Sequence, residues 1–221
     1  MKLAILASGS GTNAQAMIDK MLEGILDLEI CLIFSNRPKA KVLERAQNFD
    51  IPHIALDHTK YTNRTSFDMD MLSAIHDSGA QAIALAGYML MLSPAFLAHF
   101  KGPVLNLHPA ILPSFPGLHG AADALAYGVK ITGATVHFVD EKMDHGPVVI
   151  QAAVPIKQLE QTDTLLARIH ALEHRIYPQA LQWLAQDRLT IQDRTVVLKG
   201  EGKRCPIDGD YFIWPPLEEG F

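Results

Sequence analysis

The chain has 221 residues, enough to bury a substantial core as one large domain or two closely packed halves. Apolar residues make up 48% and charged residues 19%, which excludes a disordered chain or a coiled coil. The formal net charge is -5 with no Lys/Arg block, which argues against nucleic acid as the main partner. The only two cysteines, Cys31 and Cys205, lie far apart without CxxC spacing, so a reducing, cytoplasmic setting is expected.

The apolar stretch Leu3–Ala7 is shorter than a signal-peptide core and runs straight into a glycine loop, so it is read as a buried first strand. No apolar run approaches the roughly twenty residues of a membrane-spanning helix, and no membrane association is expected. Ala14–Glu23 reads as a helix with Ala16, Met17, Met21 and Leu22 on one face. Leu28–Phe34 is a second strand, Lys41–Phe49 a helix and Pro52–Leu56 a short strand. Thr65–Ser78 has Phe67, Met71, Leu72 and Ile75 spaced for one helical face, with Gly79 as a stop signal. Gln81–Ala86 is another buried strand. Pro94–Phe100 is a short helix with Ser93 as N-cap and proline at its first position. Strand–helix alternation with near-continuous apolar strands predicts an α/β fold, a doubly wound and mostly parallel sheet with helices on both faces.

Val104 and Leu105 lead into Asn106-Leu-His-Pro-Ala-Ile-Leu-Pro-Ser-Phe-Pro-Gly117. Side chains alternate along a strand, so Asn106 and His108 point the same way. Pro109, Pro113 and Pro116 then forbid an ordinary helix or central strand. Two readings stand: a stiff frame that holds a polar pair still, as preorganised groups require, or a proline-rich surface loop. Beyond it, Ala121–Tyr127 reads as a helix, Ala134–Val139 and Val148–Pro155 as strands, about Asp163 to Ala185 as a long helix, and Thr190–Leu198 as a hairpin. Lys199–Phe221, with its glycines and prolines, reads as an extension without regular structure.

Ser10, Gly11, Thr12 and Asn13 sit where the first strand turns into the first helix. Small residues, free N–H groups and the helix dipole favour an anion there. The other reading is a tight turn with Thr12 or Asn13 as N-cap. Asp144 falls in Asp140-Glu-Lys-Met-Asp-His-Gly-Pro147, a turn-rich loop between strands, where ligand-facing carboxylates and Asx turns both occur. His137 is read as a strand histidine satisfied by a backbone carbonyl, while His119 and His145 stay unassigned. The chain is read as holding no His-x-x-x-His, His-Glu-x-x-His or Cys/His cluster with ligand spacing, so no metal is expected, and no Gly-x-Ser-x-Gly elbow supports a serine hydrolase.

Taken together, Gly9-Ser-Gly-Thr-Asn13, Ser35-Asn36-Arg37, Leu85-Ala-Gly-Tyr-Met89, Leu92-Ser-Pro94, Asn106-Leu-His-Pro-Ala-Ile-Leu-Pro113, Phe115-Pro-Gly-Leu-His119, Thr135-Val-His137-Phe138 and Asp144-His-Gly-Pro147 closely resemble, in this order, the phosphoribosylglycinamide formyltransferase family. The resemblance runs from residue 1 to about 198. It implies a formyltransferase fold, Rossmann-like in its N-terminal half, with one catalytic domain over 1–198. Residues to about 100 would bind nucleotide and phosphate, about 101–198 would be catalytic and folate-binding, and 199–221 would be an extension. It also implies folate-dependent de novo purine synthesis, with 10-formyltetrahydrofolate as co-substrate and glycinamide ribonucleotide (GAR) as acceptor. Asn106 would hold the tetrahedral oxyanion, His108 would share that task and move protons, and Asp144 would orient His108. Ser10, Gly11, Thr12 and Asn13 would take the phosphate and Glu173 the ribose hydroxyls. Met89, Leu90, Met91, Leu92, Phe96, Leu97 and the loop from Val139 and Asp140 to Asp144 would line the pterin pocket, with Asn106 at its edge and Arg64 facing the glutamate tail.

Two departures stand out. Position 90 is Leu where the family often has Arg, so recognition of the folate tail would lean on Arg64 and Lys60. Tyr211, Phe212 and Trp214 match no family motif; they are expected to pack on their own subunit or to meet a second copy, leaving monomer and homodimer both open. Among rivals, methionyl-tRNA formyltransferase would need a further C-terminal domain and a basic surface. Formyltetrahydrofolate hydrolase would carry an N-terminal regulatory domain, whereas the catalytic unit here begins at Met1. A sugar-nucleotide N-formyltransferase shares the chemistry, and a nucleotide-binding module would use the glycine loop alone.

Overall fold

In a computed structural model, residues 1–200 and 209–221 are described. An eight-stranded sheet forms the centre. Its first five strands are parallel: β1 (Lys2–Leu6), β2 (Glu29–Ser35), β3 (His53–Ala55), β4 (Ala82–Leu85) and β5 (Val104–His108). Three more, β6 (Ile131–Phe138), β7 (Val148–Pro155) and β10 (Phe212–Trp214), join antiparallel, giving the order β10-β7-β6-β5-β4-β1-β2-β3. The hairpin β8 (Leu189–Gln192) and β9 (Thr195–Leu198) stands apart.

Apolar strands dictate two packed faces. In β1, Leu3 and Ile5 turn to a core shared with α1 (Thr12–Leu22), α2 (Lys41–Asn48), α5 (Gly120–Tyr127) and the long α6 (Thr162–Ala185). Ala4 and Leu6 turn to the opposite core, built with α3 (Arg64–Asp77) and α4 (Pro94–His99). Strands β1, β2 and β4 are buried almost throughout, as central parallel strands require, while the edge strand β3 stays largely open. The switch point lies between β1 and β4: the chain winds from β1 outward through β2 and β3, then returns to β4 on the other side. Ligand crevices open at such points.

The structure differs from the sequence expectations in two places. Helix α1 begins at Thr12, so its buried stripe is Ala14, Met17 and Ile18, while Leu22 is 63% exposed. The extension is not irregular throughout, because Phe212–Trp214 pairs with Gln151–Ala153 as the sheet's edge strand. Ile213 is buried and the Tyr211 ring packs against Arg175, but Phe212 and Trp214 are 58% and 59% exposed. Residues 201–208 of that extension, with Cys205, lie outside the described residues. Helix α6 runs across Pro178, as the sequence predicts, and carries Tyr177, whose buried hydroxyl donates toward the carbonyls of Leu85 and Leu105 at 3.2 and 3.0 Å. That contact ties the last residue of β4 to the start of β5. No described helix is long and apolar enough to cross a membrane.

Candidate active site

Strand β5 delivers Asn106 and His108 to one face, while Leu105 and Leu107 enter the core on the other. The antiparallel register sets Asn106 opposite His137 and His108 opposite Thr135. Side chains opposite each other on paired strands share a face, so β6 completes the cluster. Asp144 is its hub. Its Oδ1 lies 3.4 Å from Asn106 Nδ2 and 3.8 Å from His137 Nε2, and its Oδ2 lies 3.5 Å from His108 Nδ1. The backbone N–H of Gly117 donates to Oδ2 at 2.7 Å, which ties the proline segment to the carboxylate loop. Asp144 sits in left-handed backbone, φ 49°, in a loop that turns sharply between β6 and β7.

The segment after His108 is held by more than its prolines. Thr135 Oγ1 donates to the Ala110 carbonyl at 2.7 Å and accepts from Leu112 N–H at 3.1 Å. Gln151 Nε2 donates to the Leu112 carbonyl at 2.9 Å. The Phe115 carbonyl lies 2.7 Å from His108 Nε2, so acceptors stand at both ring nitrogens of this buried imidazole. Gly120 packs so close that an added Cβ would meet His108 Nε2 at 3.1 Å.

His137 is the residue the sequence reading undervalued. Its Nδ1 faces the Phe138 carbonyl at 2.8 Å, the backbone partner expected, but its Nε2 also meets Asn106 Nδ2 at 3.2 Å. Burial pushes its pKa down, against the opposing pull of the Phe138 carbonyl and Asp144, which favours the neutral ring. An Nδ1–H tautomer leaves Nε2 as acceptor for the amide. Both hydrogens of Asn106 Nδ2 thus have acceptors, and the 3.4 Å approach to Asp144 is the looser of the two.

Beside this cluster lies a cavity of roughly 300 Å³, lined by residues 87–92 of the β4–α4 loop, by Val139, Asp140, Lys142 and Met143, and by Asn106, His108 and Asp144. Met89, Met91, Leu118 and Met143 line it while each stays about half exposed or more. Apolar surface kept open in a concave site marks a place for an apolar or planar ligand. Two expected lining residues are elsewhere. Phe96 is buried in the core with α3, and Leu97 packs against that core, because the one short turn of α4 points them inward. Arg64 also stands outside the lining. Its Nε pairs with Asp68 at 2.6 Å and its Nη2 donates to the Met91 carbonyl. It braces the cavity's wall from behind.

The glycine loop forms a second candidate site. Gly11 is the helix cap, φ 72°, and neither Thr12 nor Asn13 caps the helix with its side chain. An added Cβ at Gly11 would meet Val42 Cγ2 at 2.6 Å, so both conformation and space require glycine. Asn13 Nδ2 donates to Glu173 Oε2 at 3.0 Å, and His170 Nδ1 lies 2.7 Å from the same oxygen. The Glu173 contact raises the pKa of His170 against its burial. Asn13 Oδ1 is buried without a partner. Arg45, which the sequence reading did not single out, bonds Ser10 O at 2.8 Å and brings positive charge to the loop. His170-Ala-Leu-Glu-His174 is a His-x-x-x-His spacing on α6, contrary to the expectation that the chain holds none. Among the described residues, however, no group of three or more His, Cys, Asp or Glu could hold a metal ion.

The sequence profile of the family described as formyl transferase matches residues 1–181. A phosphoribosylglycinamide formyltransferase of Bacillus subtilis is 38% identical over 183 residues, covering 83% of this chain and 94% of that protein. The Escherichia coli protein of the same name is 37% identical over 209 residues, covering 95% and 98%. The crystal structure of glycinamide ribonucleotide transformylase 1 from Symbiobacterium toebii superposes with a TM-score of 0.87 at 40% identity, covering 90% of this chain and 93% of that one.

Proposed function

This chain belongs to the phosphoribosylglycinamide formyltransferase family, and we propose on that premise that it moves the formyl group of 10-formyltetrahydrofolate to the amine of GAR, yielding formyl-GAR and tetrahydrofolate in purine biosynthesis. The observation that carries the reading is the convergence of Asn106, His108 and His137 on Asp144 at the edge of an apolar cavity.

The chemistry follows from the groups present. The GAR amine attacks the formyl carbon, a C–N bond forms, and the carbonyl electrons move to oxygen. Asn106 turns one Nδ2–H from Asp144 to that oxyanion while the other stays on His137. His108 donates from Nδ1, the nitrogen beside Asp144, with the Phe115 carbonyl behind it at Nε2. Collapse breaks the bond to the folate nitrogen, and the proton lost by the amine ends on that nitrogen through His108 and Asp144. Preorganised donors to an oxyanion are commonly worth about 10²–10³ in rate, and a positioned acid/base about 10²–10⁴. No covalent enzyme intermediate is required.

The acceptor site uses Ser10–Asn13 for the phosphate, with the α1 N-terminus and Arg45 supplying positive potential, and Glu173 for the ribose hydroxyls. The buried, unpartnered Asn13 Oδ1 supports a polar ligand at that place. The folate ring occupies the Met-lined cavity, between the β4–α4 loop and the 139–144 loop. Residues 1–198 act as one catalytic unit, because the donor and acceptor sites share one sheet.

The test is product identity. Purified protein with both substrates should yield N-formylated ribonucleotide by mass spectrometry, and Asp144→Asn should lower kcat by about 10²–10⁴ without unfolding. Near-normal turnover by that variant rejects the role given to Asp144.

A further inference from the structure

Asp144 must be held in left-handed backbone, a conformation that costs free energy unless its surroundings enforce it. The loop supplies part of that enforcement from within. Asp140 accepts from the Lys142 N–H through Oδ1 at 2.9 Å and meets His145 Nδ1 through Oδ2 at 2.7 Å. The rest comes from outside the sheet. Arg194, in the two-residue turn between β8 and β9, donates from Nη2 to the His145 carbonyl at 2.8 Å. Its Nη1 stands 3.1 and 3.3 Å from the two nitrogens of the His145 ring, lying across the ring rather than at one atom.

The hairpin can transmit restraint because its root is fixed. Arg188 donates to the carbonyl of Lys199 at 2.9 Å and forks onto both oxygens of Glu218 at 3.0 and 2.8 Å. Leu189, Val196 and Leu198 pack against the core. A hairpin anchored at its base thus reaches with its tip to the residue that directly follows Asp144. Arg194 lies beyond the 1–181 stretch that matches the family.

We propose that Arg194 is a positioning residue: through His145 and Asp140 it locks the 139–147 loop so that Asp144 meets Asn106 and His108. The proposal concerns catalysis by the site described above and rests on that reading. Misplacement of a catalytic group by about an ångström can cost about 10²-fold, so a strap of this kind acts on kcat rather than on acceptor binding.

Arg194→Ala, His145→Ala and the double variant should be compared in kcat, in the KM for GAR, and in hydrogen exchange of amides 141–145. Arg194→Ala is expected to lower kcat about tenfold or more, to leave the GAR KM within about twofold, and to speed exchange in the loop. Because both residues act through one contact, the double variant should lose no more than about twofold beyond the worse single variant. Should Arg194→Ala fail to fold, Arg194→Gln, which keeps one donor without the charge, is read by the same criteria. A kcat within about twofold of wild type, or fully additive losses in the double variant, overturns the proposal. If the wild-type protein shows no transferase turnover, the assigned function fails instead. Loop exchange then judges the strap alone, and unchanged exchange in Arg194→Ala overturns it.

Discussion

Asn106 and His137 face each other across the β5–β6 ladder, and the amide Nδ2 of one reaches the ring Nε2 of the other at 3.2 Å. In the proposed reaction this contact orients the group that meets the oxyanion. Replacing His137 by Ala removes the acceptor that holds the amide. We expect kcat to fall about tenfold or more, since an oxyanion donor commonly contributes about 10²–10³, with both KM values little changed. Steady-state kinetics check it, and a KM effect alone would place His137 in binding instead.

Two histidines give stability opposite pH dependences. Burial lowers the pKa of His137, so its contribution is present above the unfolded value near 6.5 and is lost as pH falls through the lowered value. Bonding to Glu173 raises that of His170, so its contribution is present below about 6.5 and is lost as pH rises through the raised value. Denaturant midpoints should therefore show His137→Gln losing less stability than wild type on acidification. The wild-type advantage over His170→Gln should be largest near pH 6 and shrink above neutrality. Parallel pH curves for all three proteins would contradict both assignments.

Glu173 should govern the acceptor alone. Its Oε2 serves Asn13 and His170, both beside the glycine loop. Glu173→Gln is expected to raise the KM for GAR about tenfold, in line with the loss of one charge-assisted hydrogen bond, and to leave the folate KM within about twofold. A change in the folate KM of equal size would show that the two sites are not separate.

Arg64 presents a more demanding case. Its guanidinium is already engaged by Asp68 and the Met91 carbonyl. With Leu90 in place of a second cation, we expect Arg64→Ala to raise the folate KM without affecting GAR binding, both by removing charge from the tail's approach and by freeing the wall at Met91. An unchanged folate KM would reject that role.

Much of this architecture was legible in the chain, for physical reasons that differ from residue to residue. Continuous apolar runs announced β1, β2 and β4, because strands buried on both faces tolerate little else. Asn106 and His108 share a face because alternation leaves no other outcome. His137 illustrates the limit. Its backbone partner was foreseeable from its own strand, but its contact with Asn106 depends on the register between β5 and β6, which neither strand encodes alone. The same holds for Phe212–Trp214, three residues among prolines and glycines that become a strand only because β7 offers an edge. Phe96 was misplaced for a simpler reason: a helix of six residues has too few turns for periodicity to say which side faces the core.

The most direct measurement is acceptor dependence. Purified protein is incubated with 10-formyltetrahydrofolate, with and without GAR, and deformylation of the folate is followed. Turnover only when both are present, at a rate set by GAR concentration, is the predicted result. Deformylation at the same rate without GAR, or none with GAR supplied, would contradict the central claim that Asp144, Asn106 and His108 serve formyl transfer to that amine.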